Sequence, residues 1–404
     1  MTELHVYRKN ADEVQVKAKI EIEPSPDQSL RFKLAEGFEI EKILDADGEP
    51  LAYERTEKIA EPYSFAADTN LYTVKHVPGA SLEIRYAGSS TGQHTMINED
   101  IISLNYCSAW YPHRLSCALQ APDVTVYIYA PEDCKVMDAV FDEENGRWCI
   151  GDHRLDREIF IISFCRCREM KNDVAAIYYY GEDNDEIARD LIRSAPQLKD
   201  YFTELFGGFD MEPVKIFSLP IDVNYGGYNY NGNLIYDRFI LDFDTEEMQP
   251  YHDLKQKHGI SKNLIYALGH ELAHNRCQGA AGNWEAWLNE TTADWAVFSY
   301  LIEQGDEALV SDLINLYIAF EEDEKIRTDD GKRPQQYHSK GSILFYKIYQ
   351  KYGLELIKKL LRAFTDLEHK TTAAWLAEIE KISPALSKRM DECLSLERLG
   401  DLEF

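Results

Sequence analysis

Apolar and polar residues alternate along the first part of the chain and recur at helical spacing along the second. Val14 to Ile22 (VQVKAKIEI) sets apolar side chains at every second position, the pattern of a strand with one buried face. Comparable runs follow at Leu82–Tyr86, Val124–Tyr129, Phe160–Phe164 and Val174–Tyr180, punctuated by turn signals at Asp47-Gly48, Pro78-Gly79 and Asn145-Gly146. The period then changes. Ile187, Leu191, Leu198, Phe202 and Leu205 fall on one face of a helix that Gly207-Gly208 ends. Short strands are predicted at Val214–Leu219, Asn233–Tyr236 and Phe239–Phe243. Beyond Ser261 the chain reads as almost wholly helical, with breaks near Gly279–Gly282, Gly305, Gly331 and Gly353. The pattern predicts an α+β protein: an antiparallel β-sandwich or saddle over residues 1–180, then a mainly helical domain over 181–404.

Composition narrows the partners. The 404 residues suffice for two or three domains, and 45% hydrophobic with 28% charged residues is the balance of a folded chain. The formal charge of -28 repels phosphates, so nucleic acid and anionic membranes are poor partners, whereas cationic groups are favoured. No apolar run is long enough to span a membrane, and the opening residues lack the apolar core of a signal peptide. The eight cysteines show neither zinc-ribbon nor CxxC spacing; all eight are read as reduced thiols of a cytoplasmic protein.

The chemistry concentrates in Gly269-His270-Glu271-Leu272-Ala273-His274. Four residues apart on a helix, His270 and His274 lie one above the other and can meet a single ion. Glu271, off that axis, stays near enough to take a proton from water at the metal. Ser261 is the expected N-cap, and Leu264, Leu268 and Leu272 form the apolar stripe of this helix. A catalytic zinc takes three protein ligands and keeps one position open. A following helix from Trp284 to about Gln304 offers Glu290, with Asp294 one turn on to accept the free ring N–H of a ligand histidine. Glu285 is the rival third ligand. One zinc ion per chain is expected. Cys277 is expected to be buried, and Trp284, Trp287, Trp295 and Phe298 to belong to the core.

HELAH followed by WLNE resembles the gluzincin aminopeptidases, the group of aminopeptidase N and leukotriene hydrolase. Ala109-Trp110-Tyr111-Pro112 is similar to the stretch by which that family's β-domain lines its site, Leu205-Phe206-Gly207 to the element before its catalytic sheet, and Lys340-Gly341 to its Tyr-x-Lys-Gly motif. The resemblance spans roughly residues 100 to 350. It implies a β-saddle domain, a thermolysin-like catalytic domain, no large C-terminal helical domain, and hydrolysis of peptides by an aminopeptidase.

Three departures bear on activity. Fifteen residues separate His274 from Glu290, fewer than the family usually has, which reads as a deletion in a Gly/Ala-rich loop. The family's amine-binding edge strand matches Gly226, Gly227, Tyr228 and Asn229, with Asn229 where a glutamate is expected; the amide lacks the charge that anchors a free amine, although the backbone can still hold a peptide as an added strand. The oxyanion donor expected three residues before Gly341 is His338, with Tyr337 beside it, and either can serve. Two other readings stand beside the aminopeptidase: an endopeptidase or relaxed-specificity peptidase, and a non-catalytic peptide-binding scaffold, which would have no use for Glu271. The preferred side chain and the oligomeric state are not written in the sequence.

Overall fold

Alternation in the first half produces sheets. The computed structural model describes residues 2–21, 29–59, 66–75, 81–92, 95–105, 108–114, 124–153, 159–208, 213–220, 227–230, 233–236 and 249–402. Compactness divides the chain into two units: Met1–Arg168 with Tyr178–Tyr180 and a short segment beginning at Leu219, and the remainder.

In the first unit a seven-stranded sheet runs in the order Val140–Asp142, Arg147–His153, Val124–Tyr129, Thr2–Arg8, Val14–Glu21, Ser81–Gly88, Phe38–Leu44. Neighbours pair antiparallel except Thr2–Arg8 with Val124–Tyr129, which are parallel with Thr2 opposite Val124. Strand Val14–Glu21 buries Val14, Val16, Ala18 and Ile20 on one face, as its alternation predicts. Two four-stranded sheets complete the unit, one built on Leu30–Ala35 and Thr69–Val74, the other on Ile161–Phe164 and Ile101–Leu104. They enclose a core that includes Phe32, Phe38, Tyr86 and Trp110. The Trp110 indole donates to the Ile159 carbonyl (3.1 Å), and Tyr86 donates to the carbonyl of Trp110 (2.9 Å).

The cysteine expectation is corrected here. Cys134 and Cys165 form a disulfide, whereas Cys149, Cys167, Cys277 and Cys393 are free; Cys107 and Cys117 lie outside the described residues. The cause is register. Lys135–Val136 pairs antiparallel with Ser163–Phe164, which carries Cys134 to the position opposite Cys165 across 31 residues of sequence. Linear spacing holds no trace of that pairing.

The second unit joins a mixed sheet to nine helices among the described residues. The sheet order is Arg168–Lys171, Ala175–Tyr179, Val214–Ser218, Asn233–Tyr236, Gly227–Tyr230. Val214–Ser218 runs parallel to Asn233–Tyr236, and the edge strand Gly227–Tyr230 antiparallel to it. The strand predicted at Phe239–Phe243 lies outside the described residues. The helices are α1 (Asp185–Phe206), α2 (Gln249–His258), α3 (Ile260–Ala273), α4 (Trp287–Glu303), α5 (Glu307–Ala319), α6 (Tyr337–Tyr352), α7 (Leu354–Thr365), α8 (Thr372–Ile382) and α9 (Pro384–Cys393). Helix α1 ends where the glycine pair predicts, with Gly207 in the left-handed conformation.

Helix α4 is the centre of this unit. All but a few of its residues are buried, with α1, α3, α5, α6 and α7 packed around it. Trp287, Trp295 and Phe298 are core as expected, whereas Trp284 lies half-buried in a short 3-10 turn beneath the Arg327 guanidinium. Among the buried hydroxyls of α4, Thr292 and Ser299 bond back to carbonyls one turn earlier, at 2.7 and 2.6 Å. Ser261 is not the cap of α3. Gly259, at φ 91°, turns the chain sharply out of α2 so that the next helix begins at Ile260, and the Ser261 hydroxyl donates to Asp190 of α1 instead (2.6 Å).

Candidate metal centre

His270 lies in the last turn of α3 and His274 is its C-cap residue, where the helix presses against α4. Gly269 permits this approach: a methyl group there would overlap Val297 of α4 and crowd Leu198 of α1. The two imidazoles stand edge to face, their centroids 4.7 Å apart. Their Nε2 atoms are separated by 3.1 Å. From α4, Oε2 of Glu290 lies 3.3 Å from Nε2 of His270 and 3.5 Å from Nε2 of His274.

The far nitrogens settle which way the rings point. Nδ1 of His270 donates to Oδ1 of Asp294 (2.9 Å), and Nδ1 of His274 donates to the Cys277 carbonyl (3.1 Å). With the ring protons held there, both Nε2 lone pairs converge on a carboxylate oxygen. Three acceptors facing one another at this range repel unless a proton or a metal cation lies among them. A tetrahedral zinc with bonds of roughly 2.0–2.1 Å sets its donors roughly 3.3–3.4 Å apart, so this triangle has the size of one face of such a site. The described residues thus hold a metal-binding cluster of His270, His274 and Glu290.

Charge around the cluster is ordered by burial and by the histidines. Burial alone would lift the Glu290 carboxyl, yet His270 and His274 hold it well below the usual range. Glu271 is buried beside the ligands. Desolvation raises its carboxyl above the ordinary value against the pull of His270 and His274. Asp294 is fully buried; His338 and His270 outweigh that desolvation and keep it ionised far below the ordinary range. Its Oδ1 also accepts from the Tyr266 hydroxyl (2.7 Å), and its Oδ2 from the Ser342 hydroxyl (2.6 Å).

The remaining expected residues divide. His338, in the first turn of α6, has its ring 5.2 Å from that of His270 and its Nε2 3.2 Å from Oδ2 of Asp294. Tyr337 is stacked under the Arg333 guanidinium, 4.0 Å from the ring centroid. Lys340 is fully buried, paired with Glu321 (3.2 Å) and bonded to the Glu397 carbonyl (2.6 Å). Gly341 lets α6 cross α4, because a methyl group there would overlap the Thr291 hydroxyl next to Glu290. Glu285 is not a ligand: its Oε2 accepts from the backbone N–H (2.5 Å) and hydroxyl (2.8 Å) of Thr372 at the start of α8. On the edge strand, Gly227, Tyr228 and Asn229 stand opposite Tyr236, Ile235 and Leu234, alongside α3; Gly226 lies outside the described residues. Sequence reasoning missed Tyr266 and Ser342. Their signal was helical spacing: Tyr266 lies one turn before His270, and Ser342 one turn after His338.

No sequence-family model matches the chain, and no curated protein matches it by sequence. Solved structures do match. An M1 zinc metallopeptidase from Deinococcus radiodurans, as a mutant bound to Tyr-Ser-Ala substrate, is similar at a TM-score of 0.55 and 14% identity, over 98% of this chain and 93% of that one. An aminopeptidase N family protein from Idiomarina loihiensis is similar at a TM-score of 0.67 and 12% identity, over 98% of this chain and 76% of that one.

The fold is that of the M1 zinc metallopeptidases.

Leukotriene A4 hydrolase from Saccharomyces cerevisiae is similar at a TM-score of 0.57 and 12% identity, over the whole of this chain but 68% of that one. The M1-type architecture of a β region followed by a largely helical one is therefore shared, and the chain spans 68% of the yeast hydrolase's length.

Proposed function

We propose that the chain is a zinc-dependent peptidase with an aminopeptidase's architecture and relaxed recognition of the substrate's amine. The observation that carries the zinc reading is the triangle of Nε2, Nε2 and Oε2 atoms, with both Nδ1 atoms already engaged. His270, His274 and Glu290 would hold the ion, which when bound supplies Lewis acidity for the scissile carbonyl and acidifies water. The protein's own groups do the rest. Glu271, its carboxyl raised by burial, takes a proton from the attacking water and hands it to the departing amine. His338, whose ring stands beside that of His270, is favoured over Tyr337 as the donor to the oxyanion, because Tyr337 is stacked on Arg333. The edge strand Gly227–Tyr230 supports extended binding of a peptide through backbone hydrogen bonds.

The endopeptidase or relaxed-specificity reading has specific support. Asn229 stands where the resemblance calls for an amine-binding glutamate, and Glu285, one acidic residue that could replace it, is committed to Thr372, while Asp237, the other, lies outside the described residues. The test compares turnover efficiency on a free-amine peptide with that on its N-acetyl twin, alongside the zinc content of the purified protein. Stoichiometric zinc with a small ratio is expected. A protein that binds no zinc overturns the reading, and a large ratio restores strict aminopeptidase specificity.

A further inference from the structure

Two helices deliver the same pair of groups to the two oxygens of one carboxylate. From α3 come the imidazole of His270 (2.9 Å) and, one turn earlier, the hydroxyl of Tyr266 (2.7 Å), both to Oδ1 of Asp294. From α6 come the imidazole of His338 (3.2 Å) and, one turn later, the hydroxyl of Ser342 (2.6 Å), both to Oδ2. Asp294 itself rides on α4 and is inaccessible to solvent. A carboxylate with two hydroxyl donors in fixed positions cannot rotate freely, so the direction of each oxygen is set before either imidazole arrives. The His338 contact is short but not aligned as a hydrogen bond, which leaves Ser342 as the group that fixes Oδ2. Tyr266 is steadied in turn by the Tyr317 hydroxyl of α5 (3.2 Å).

The geometry points to Asp294 as a junction that ties the metal-holding helix to the helix carrying His338, with Tyr266 and Ser342 as positioning residues for the two sides. This rests on the peptidase reading for what His338 does, but the junction itself is a property of this chain's residues. Nε2 of His338 lies 3.2 Å from Oδ2 of Asp294, so that nitrogen is turned to the carboxylate and Nδ1 is left to face a substrate. The two hydroxyls therefore act on different quantities: Tyr266 on how firmly the metal is held, Ser342 on how well His338 is aimed.

The experiment uses the full chain with single substitutions. Zinc affinity is read by competition with a chromophoric chelator, kcat and KM on a fluorogenic peptide under saturating zinc, and the His338 ring by nitrogen NMR of metal-free protein. Tyr266→Phe is expected to weaken zinc roughly tenfold while leaving kcat at saturating zinc nearly unchanged. Ser342→Ala is expected to leave zinc affinity within about twofold and to lower kcat roughly tenfold at constant KM, with Ser342→Thr restoring it. His338→Ala added to Ser342→Ala should cost no more than His338→Ala alone. Losses that multiply, or a Ser342→Ala variant with wild-type kcat, overturn the junction. A wild-type protein that cleaves no peptide would sink the peptidase reading instead. In that case the metal-free measurement decides, and a His338 spectrum unchanged in Asp294→Asn overturns the junction on its own.

Discussion

Each ligand imidazole is held from behind by a different group, His270 by a buried carboxylate and His274 by a main-chain carbonyl, so side-chain substitution can reach only the first support. Glu271 makes no contribution to the triangle. Glu271→Gln should therefore keep stoichiometric zinc while kcat falls by roughly 10²–10⁴, measured by metal analysis and single-turnover kinetics; undiminished turnover would remove it from the mechanism. Glu285→Gln should leave zinc and the free-amine ratio unchanged and cost about 1 kcal/mol of stability, because its carboxylate serves the first turn of α8. Burial pushes the Cys277 thiol up to about 12, so it stays protonated at all ordinary pH values. Iodoacetamide at pH 8 should label it only after denaturation. At this scale the sequence was legible where partners are a helical turn apart: His270 and His274 read directly, and Glu290 with Asp294 followed. Thr372 was not legible as the partner of Glu285, because 87 residues separate them and no local pattern links them.

Close helix crossings set the site's dimensions. Gly269 and Gly341 mark where α3 and α6 lie against α4, and both precede or follow functional positions by a few residues. Gly341→Ala should cost about 1–3 kcal/mol or more by overpacking, lower the melting temperature and weaken zinc, since the displaced Thr291 adjoins Glu290. An equally stable variant with unchanged zinc affinity would show that the crossing is looser than described. Strand and helix positions were legible from period: Val124–Tyr129 and Asn233–Tyr236 were placed to the residue, and α1 ended at its glycines. The start of α3 was not, because Ser261 satisfies cap chemistry equally well and only Asp190, from another helix, draws its hydroxyl away.

Long-range pairing governs the whole molecule, and it is where periodicity falls silent. The Cys134–Cys165 bond closes a loop of 31 residues, and by chain entropy alone such a closure stabilises by about 3–4 kcal/mol. Non-reducing mass spectrometry should show Cys134 linked to Cys165, and reduction of that bond should lower the unfolding midpoint of the first unit; a protein with every thiol alkylated under native conditions would contradict this pairing. The strand Thr2–Arg8 was likewise invisible as a centre of the sheet, since its parallel partner begins at Val124. That partnership has a consequence in time. A ribosome adding roughly 5–20 residues per second releases Thr2–Arg8 and Val14–Glu21 long before Val124–Tyr129 emerges, so for roughly ten seconds the Thr2–Arg8 edge of the nascent hairpin stays open, with a largely apolar face. Closing that edge waits on a loop of more than one hundred residues, the slow kind of pairing. Yield during synthesis should then depend on what shields this edge, with slower translation worsening aggregation and a chaperone that holds extended segments relieving it.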